Sequence, residues 1–485
     1  MISRVITFFV TLLLIYTGFA SGQTGPQFHP ENLHVSWKLL DNHYQEQSQY
    51  RAEIQLTNSG DQPLPADGWS MYMNNMFGED QNGYFETEHV NGDLVRLHPT
   101  STLNGLPPGN SVTLEIVGPG SILNISGDPI GIYWVWDEDQ QHGIPITRYS
   151  VKPVDGPEVL DRGPDDHVPV ATPEIEFTRN KDIDHIAEES LIPVFPTPEH
   201  YSKKASKFEL TPNTPVQYQP AFRSEAEYLS EELARVFGVR LPLTTEPVDG
   251  PKIALRSGNS SPEGYELSVS PNTIAISAAE PAGIFYGIQS LKTALPPHSW
   301  EKEHNVIPVP AMEVEDAPRF GHRALMQDVS RNFRSKEQIL KTLDLMALYK
   351  LNVFHFHFND DEGWRIEIPG LPELTNVGGK RGHTQTNLDR LQPSYGSGPH
   401  STYPGSGYYS TEDIIEILEN ATERHIRVIP EIETPGHARA AIKAMDARYR
   451  YYMERGEQEA AWQYLLQHPE DSSEYRSVQG WDDNV

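Results

Sequence analysis

From about residue 313 onward, short apolar strands alternate with amphipathic helices, and this alternation constrains the fold more than any other feature of the chain. Two strands joined through a helix run parallel, because the helix carries the chain back along the sheet. Ala324 to Val329 is predicted as the first strand. A helix follows from Ser335, which makes a capping box with Gln338 and turns Ile339, Leu343 and Met346 to one face. Asn352 to Phe358 is the second strand. A Gly-, Ser- and Pro-rich loop covers roughly residues 376–407, and a helix from Ser410 places Glu412 and Asp413 at its positive end. Ile426 to Ile432 is the third strand, and a further helix starts near Ala438. Three such units in a row point to a (β/α)8 TIM barrel. A whole barrel takes about 250 residues, so residues 313–485 supply a partial one.

The chain has 485 residues, and length alone suggests more than one domain. Residues 28–150 carry strand patterns with no helical period. Tyr50 to Leu56 and Ser111 to Val117 alternate at period two, and turn signals stand at Asn58-Ser59-Gly60-Asp61 and Leu106-Pro107-Pro108-Gly109-Asn110. The expected architecture is a β-sandwich. Trp134 and Trp136 share a face; they could stack sugar rings if exposed, but aromatic residues usually fill sandwich interiors. Residues 151–189, rich in proline and acids, are expected to be a linker. Residues 190–310 are expected to form a small α/β domain. Its helices are Glu225 to Phe237 and Ala282 to Leu295, and its strands include Lys252 to Leu255, Tyr265 to Val269 and Thr273 to Ser277.

The formal net charge of −30 repels phosphate backbones and anionic lipid, so nucleic acid is not an expected partner. The absence of cysteine removes disulfides, thiolate metal sites and thiol nucleophiles. Residues 1–22 have the form of a signal peptide. Arg4 precedes the apolar run Val5 to Tyr16, and small residues follow at Gly18, Ala20 and Gly22. The chain is therefore expected to be exported, to the periplasm or beyond, with no membrane span after cleavage.

The second strand and its extension read Val353-Phe354-His355-Phe356-His357-Phe358-Asn359-Asp360-Asp361-Glu362-Gly363-Trp364. Alternate side chains of a strand share a face, so the three phenylalanines pack one way and the two histidines point the other. Asp360 and Asp361 then fall at the strand's C-terminal end, where barrel enzymes place their sites. The third strand ends Pro430-Glu431-Ile432-Glu433-Thr434-Pro435-Gly436-His437, bringing two carboxylates and a histidine to the same rim. A histidine between carboxylates is oriented and made more basic. A His-x-His pair on a barrel strand could also bind metal, and a structural ion-pair network is a further reading of the same residues.

Four stretches resemble glycoside hydrolase family 20, the β-N-acetylhexosaminidases. They are Phe320 to Arg331, the second-strand run through Trp364-Arg365-Ile366-Glu367-Ile368, Gly407-Tyr408-Tyr409-Ser410, and Pro430 to His437. The resemblance implies a small α/β domain before the barrel and, ahead of it, a sandwich similar to a carbohydrate-binding module. It implies N-acetylhexosamine-containing glycans as partners, with no cofactor and no metal. It also implies a substrate-assisted reaction, an exception to the two-carboxylate scheme of most glycosidases. In that reaction the acetamido oxygen attacks the anomeric carbon, an Asp steadies the acetamido nitrogen, and the next Glu protonates the leaving oxygen. By the same resemblance Arg323 would grip sugar hydroxyls, Asp360 and His437 would be a supporting pair, and Glu433 would stand where many members have Asp. Trp364 is expected to pack beneath the pocket.

The His-x-Gly-Gly-Asp-Glu motif that carries the acid and its Asp partner in that family does not occur in residues 1–485. Asp361-Glu362 has the right residue types but belongs to the second-strand motif. The chain as given is therefore expected to be inactive, a fragment of a longer enzyme. The alternative is a non-catalytic glycan-binding protein working through the sandwich.

Overall fold

The computed structural model describes residues 28–465, apart from 76, 124–126, 185, 188–189 and 435. The expected signal segment lies outside the described residues.

The first domain is a sandwich of two five-stranded sheets. One contains Leu33–Asp41, Gln49–Asn58 and Ser111–Pro119, and the other contains Leu94–Pro99, Trp69–Asn74 and Ile130–Trp136. Gln49–Asn58 alternates strictly between buried and half-buried residues, as its sequence requires. Trp37, Trp69 and Trp134 are fully buried between the sheets, and Trp134 stacks on Trp69 with ring centroids 3.9 Å apart. Trp134 is thus core, as the interior rule predicts, and Trp136 packs partly buried against the same cluster.

The expected linker begins as part of this sandwich. Tyr149–Val151 adds a strand beside Leu33–Asp41, and the Lys152 N–H donates to the Trp37 carbonyl at 2.8 Å. Val159 is buried in the sandwich core. A short exposed helix, Pro173–Asn180, follows, with Thr172 as its N-cap. Proline content marked this segment as irregular but could not show that its apolar residues had a core to join.

The second domain is a seven-stranded mixed sheet with the helices Arg223–Phe237 and Pro281–Ala294. Leu229, Leu233 and Phe237 are buried, as their spacing predicts, and Gly238 closes the first helix in the left-handed conformation at φ +72°. The strand Ile307–Asp316 crosses the expected boundary at 310–313. It pairs with His200–Leu210 on one side and Tyr265–Val269 on the other, so the sheet claims it down to Asp316.

Among the described residues the third domain holds three parallel strands, Ala324–Asp328, Val353–His357 and Arg427–Glu431, in that order. A closed barrel is not formed among the described residues. The helix Lys336–Leu348 has the expected Ser335–Gln338 capping box, and Thr411–Glu423 has a second box from Ser410 and Asp413. Phe354, Phe356 and Phe358 are buried against Ile339, Leu343 and Ile417. No described helix is long and apolar enough to cross a membrane.

Phe356 is fully buried, with its ring 4.8 Å from Phe354, 4.4 Å from Phe358 and 5.4 Å from Tyr409 between centroids. Phe356→Ala should therefore cost about 3–5 kcal/mol of stability. Tyr408→Ala, at a residue 44% exposed, should change it by about 0.5 kcal/mol or less. Urea denaturation of the two variants checks the contrast.

Candidate active site

The strand register builds the site. Asp328 lies opposite His357, and His357 opposite Glu431, in one row across the C-terminal ends of the three strands. Below it, on the same face, Met326, His355 and Ile429 make a second row. The phenylalanines occupy the other face because the side-chain period is two.

His357 is the centre of the upper row. Its Nδ1 is 2.6 Å from Glu431 Oε2 and its Nε2 is 2.9 Å from Asp360 Oδ2. Burial disfavours its charge, but the bonds to Asp360 and Glu431 outweigh burial and push its pKa up to about 9. His355 Nε2 reaches the same Glu431 oxygen at 2.7 Å. Glu433 shares a hydrogen bond with Glu431, which raises the Glu433 pKa.

Asp360 is almost fully buried and surrounded by donors. Arg331 Nη2 is 2.7 Å from its Oδ2, and His437 Nδ1 is 3.0 Å from its Oδ1. Burial alone would raise its pKa; His357, the Asp361 N–H, Arg331 and His437 reverse that, so Asp360 is held ionised. His437 sits at φ +54° with its side chain 53% exposed, an open imidazole on a buried carboxylate. Arg331 also binds Asp328 at 2.9 Å and approaches Glu362 at 3.4 Å. Burial, then the nearby Asp360, raises Glu362 to about 7. That value suits a general acid, yet the carboxyl is only 4% exposed and lies behind Arg331. Asp361 plays a different part, accepting the Arg439 N–H at 3.0 Å and so capping the helix Arg439–Glu454.

Two buried arginines hold this rim. Arg365 is fully buried and donates to the carbonyls of Val329, Ser330, Gly379, Gly405 and Gly407 at 2.6–3.1 Å. Burial, then the charge of Arg381, lowers its pKa to about 9. Arg381 donates to the Arg331 carbonyl at 2.9 Å. Trp364 packs with Leu374 and Leu391 beneath the site, as expected.

Among the described residues, two groups of side chains have the donor set for a metal ion: His357, Glu431 and Glu433, and Asp360, Asp361 and His437. His357 to Glu431 at 2.6 Å and His437 to Asp360 at 3.0 Å are hydrogen-bond distances, His437 stands 3.5 Å from Asp361, and both nitrogens of His357 already face carboxylates. The residues fit shared protons.

Residues 320–478 match the glycosyl hydrolase family 20 catalytic domain, residues 191–317 match domain 2 of the same family, and residues 32–174 match a putative carbohydrate binding domain. The chain belongs to glycosyl hydrolase family 20. It is 34% identical over 481 residues to an N,N'-diacetylchitobiase of Vibrio harveyi, covering 93% of this chain and 52% of that protein. It is 33% identical over 457 residues to a β-hexosaminidase of Vibrio vulnificus, covering 90% of this chain and 52% of that protein. The chain thus spans about half the length of these curated relatives. A crystal structure of a family 20 exo-β-N-acetylglucosaminidase from Vibrio harveyi with N-acetylglucosamine superposes with a TM-score of 0.71 at 26% identity, over 94% of this chain and 63% of that one.

Within this family 20 chain the structure brings Asp360, His437 and Glu433 to one rim and sets Arg323 apart from them. Arg323 precedes the first parallel strand, at the end opposite Asp328. Its guanidinium is bound by Glu263 at 2.9 and 3.1 Å and by the Tyr286 hydroxyl at 2.9 Å. A strand of five residues separates it from the rim, and its charge is already paired, so it tethers the α/β domain to the parallel sheet. Arg331 is the arginine of the rim. It lies in the same motif, eight residues on, and strand direction is the signal that separates the two: residues just after a parallel strand face the site, and those just before it do not.

The raised pKa of His357 links the site to stability. The folded state holds this proton more tightly than the unfolded chain, whose histidine titrates near ~6.5. Its contribution is therefore complete below about pH 6.5 and is lost as pH rises through about 9. Denaturation midpoints should fall across that window, and His357→Gln should flatten the fall, as urea titrations at each pH would show.

Proposed function

We propose that this rim is the sugar-holding part of a β-N-acetylhexosaminidase site, acting on terminal, non-reducing β-linked N-acetylhexosamines. The observation that carries this reading is the buried, ionised Asp360 held between Arg331, His357 and the exposed His437. Such a cluster presents donors and acceptors at the mouth while its own charge is compensated within. Arg331 offers a charge-assisted fork to ring hydroxyls. The Asp360–His437 pair supports, from below, the charge that develops during bond cleavage.

The chemistry that fits is substrate-assisted and retaining. The acetamido oxygen of the sugar attacks the anomeric carbon as the bond to the leaving oxygen breaks. Water then opens the oxazolinium ion and restores the original configuration. The His-x-Gly-Gly-Asp-Glu motif, to which the family resemblance assigns the steadying of the acetamido group and the protonation of the leaving oxygen, does not occur in residues 1–485. The roles assigned to this chain are accordingly sugar binding and charge support. Export, supported by the leader-like residues 1–22, would bring the protein to such glycans.

Titration calorimetry of residues 1–485 with N-acetylglucosamine separates the two arginines. Arg331→Met should weaken binding by about tenfold or more, the loss of a charge-assisted contact. Arg323→Met should leave affinity unchanged and lower thermal stability instead. Equal effects from both would sink the assignment.

Purified 1–485 should release no aryl group from an aryl N-acetyl-β-glucosaminide. Turnover by this chain would mean that Glu362 or another resident acid does the protonation, and the mechanism would have to be redrawn around it.

A further inference from the structure

The sandwich matches a domain described as carbohydrate binding, yet its outward aromatic face is covered by the catalytic domain. On the outer side of the sheet containing Trp69–Asn74 and Ile130–Trp136, Tyr72, Leu94, Tyr133 and Val135 form a buried apolar cluster of their own. Tyr72 and Tyr133 stack with centroids 5.0 Å apart and planes 4° apart, an arrangement that could receive a sugar ring. His383, from the 376–407 loop, lies edge-on to both rings at 5.4 Å. The Gln140 carbonyl can only accept, so His383 Nε2 donates to it at 3.0 Å, and Nδ1 accepts from the Tyr133 hydroxyl at 3.2 Å. Burial holds His383 neutral in that role.

Beside this contact, Asn74 and Asp93 grip one turn of the same loop. Asp93 Oδ2 accepts the Tyr395 N–H at 3.0 Å, and Asn74 Oδ1 accepts the Gly396 N–H at 3.0 Å. Asn74 Nδ2 donates to Asp93 Oδ1 at 2.9 Å and to the Pro393 carbonyl at 3.3 Å. Tyr395 and Gly396 have φ of +49° and +74°, so the turn is left-handed at both residues, and their consecutive N–H groups reach the two neighbouring acceptors, Asp93 and Asn74. Gly131 lets the backbones meet: a Cβ there would stand 2.7 Å from the Gly396 Cα. The turn is thus shaped to the sandwich residues that hold it. Its Tyr395 side chain is 52% exposed, within electrostatic reach of Glu362, Arg331 and Asp360, with burial and Glu362 pushing the phenol up to about 12.

We propose that the sandwich serves as a fixed wall of the active site, with Asn74 and Asp93 as positioning residues that hold the 393–396 turn so that Tyr395 stands at the mouth of the sugar pocket. The face that a free-standing module would offer to glycans is occupied by this docking. The part played by Tyr395 rests on reading the Asp360 cluster as the sugar pocket; the clamp does not.

Hydrogen exchange measured by mass spectrometry on residues 1–485 tests the clamp without any activity. In Asn74→Ala and Asp93→Ala, peptides covering 390–398 should exchange about tenfold faster or more, as expected when buried acceptors are lost. Peptides from Ser111–Pro119 should be unchanged, showing that the sandwich stays folded. Should Asp93→Ala unfold the domain, Asp93→Asn gives the same readout, because one acceptor oxygen becomes a donor. In the same variants, affinity for N-acetylglucosamine should fall about tenfold. Unchanged exchange in the loop overturns the proposal. Faster exchange with undiminished sugar affinity overturns the claim that the clamp serves the pocket. A wild-type chain that binds no N-acetylglucosamine counts against the pocket itself, and the exchange measurement still decides the clamp.

Discussion

The register of three parallel strands is the constraint on which the rest of the site depends. It places Asp328, His357 and Glu431 side by side at the C-terminal rim. Slipping the second strand by one residue would put Phe356 in that row and turn both histidines into the apolar layer behind it. The three phenylalanines, buried against the helices, make such a slip costly. The apolar core therefore fixes the polar site, although no apolar residue takes part in it.

Once in register, the row must solve a charge problem. Asp328, Asp360, Glu362 and Glu431 are crowded together, and a buried carboxylate without a partner costs several kcal/mol. Arg331, His357 and His437 supply the compensation, and Asp360 and Glu362 settle into different states. Asp360 stays ionised among its donors, whereas Glu362, more enclosed and beside Asp360, holds its proton to about pH 7. The same solution leaves one imidazole, His437, open to whatever enters the mouth.

The long 376–407 loop has little regular structure, and its carbonyls would be left unpaired if it packed without partners. Arg365 gives it donors from within, reaching Gly379, Gly405 and Gly407 while also holding Val329 and Ser330. Asn74, Asp93 and Tyr133 give it partners from the sandwich side. The loop is thereby tied at once to the strand rim and to a domain some 300 residues earlier, as the 319-residue separation of Asn74 and Pro393 illustrates.

Period-two and helical patterns in the sequence determined the three-domain order, nearly every strand and helix of the parallel unit, and the face on which His355 and His357 lie. They also placed Asp360, Glu433 and His437 at one rim, because strand direction alone sends those residues to the C-terminal end. The site residues among these rest on local pattern, each read within a single run of chain, Val353 to Trp364 or Pro430 to His437. Tertiary structure decided what local pattern cannot carry. It assigned Arg323 to Glu263, sixty residues away, and Arg331 to Asp360. It drew Val159 out of a supposed linker into the sandwich core and extended the α/β sheet to Asp316. It turned Arg365, unremarkable in its motif, into the donor that holds the rim together. The physical reason is common to all of these: a charged side chain or an apolar residue in an irregular segment takes its role from the partner that folding brings to it, and that partner lies far away in the chain.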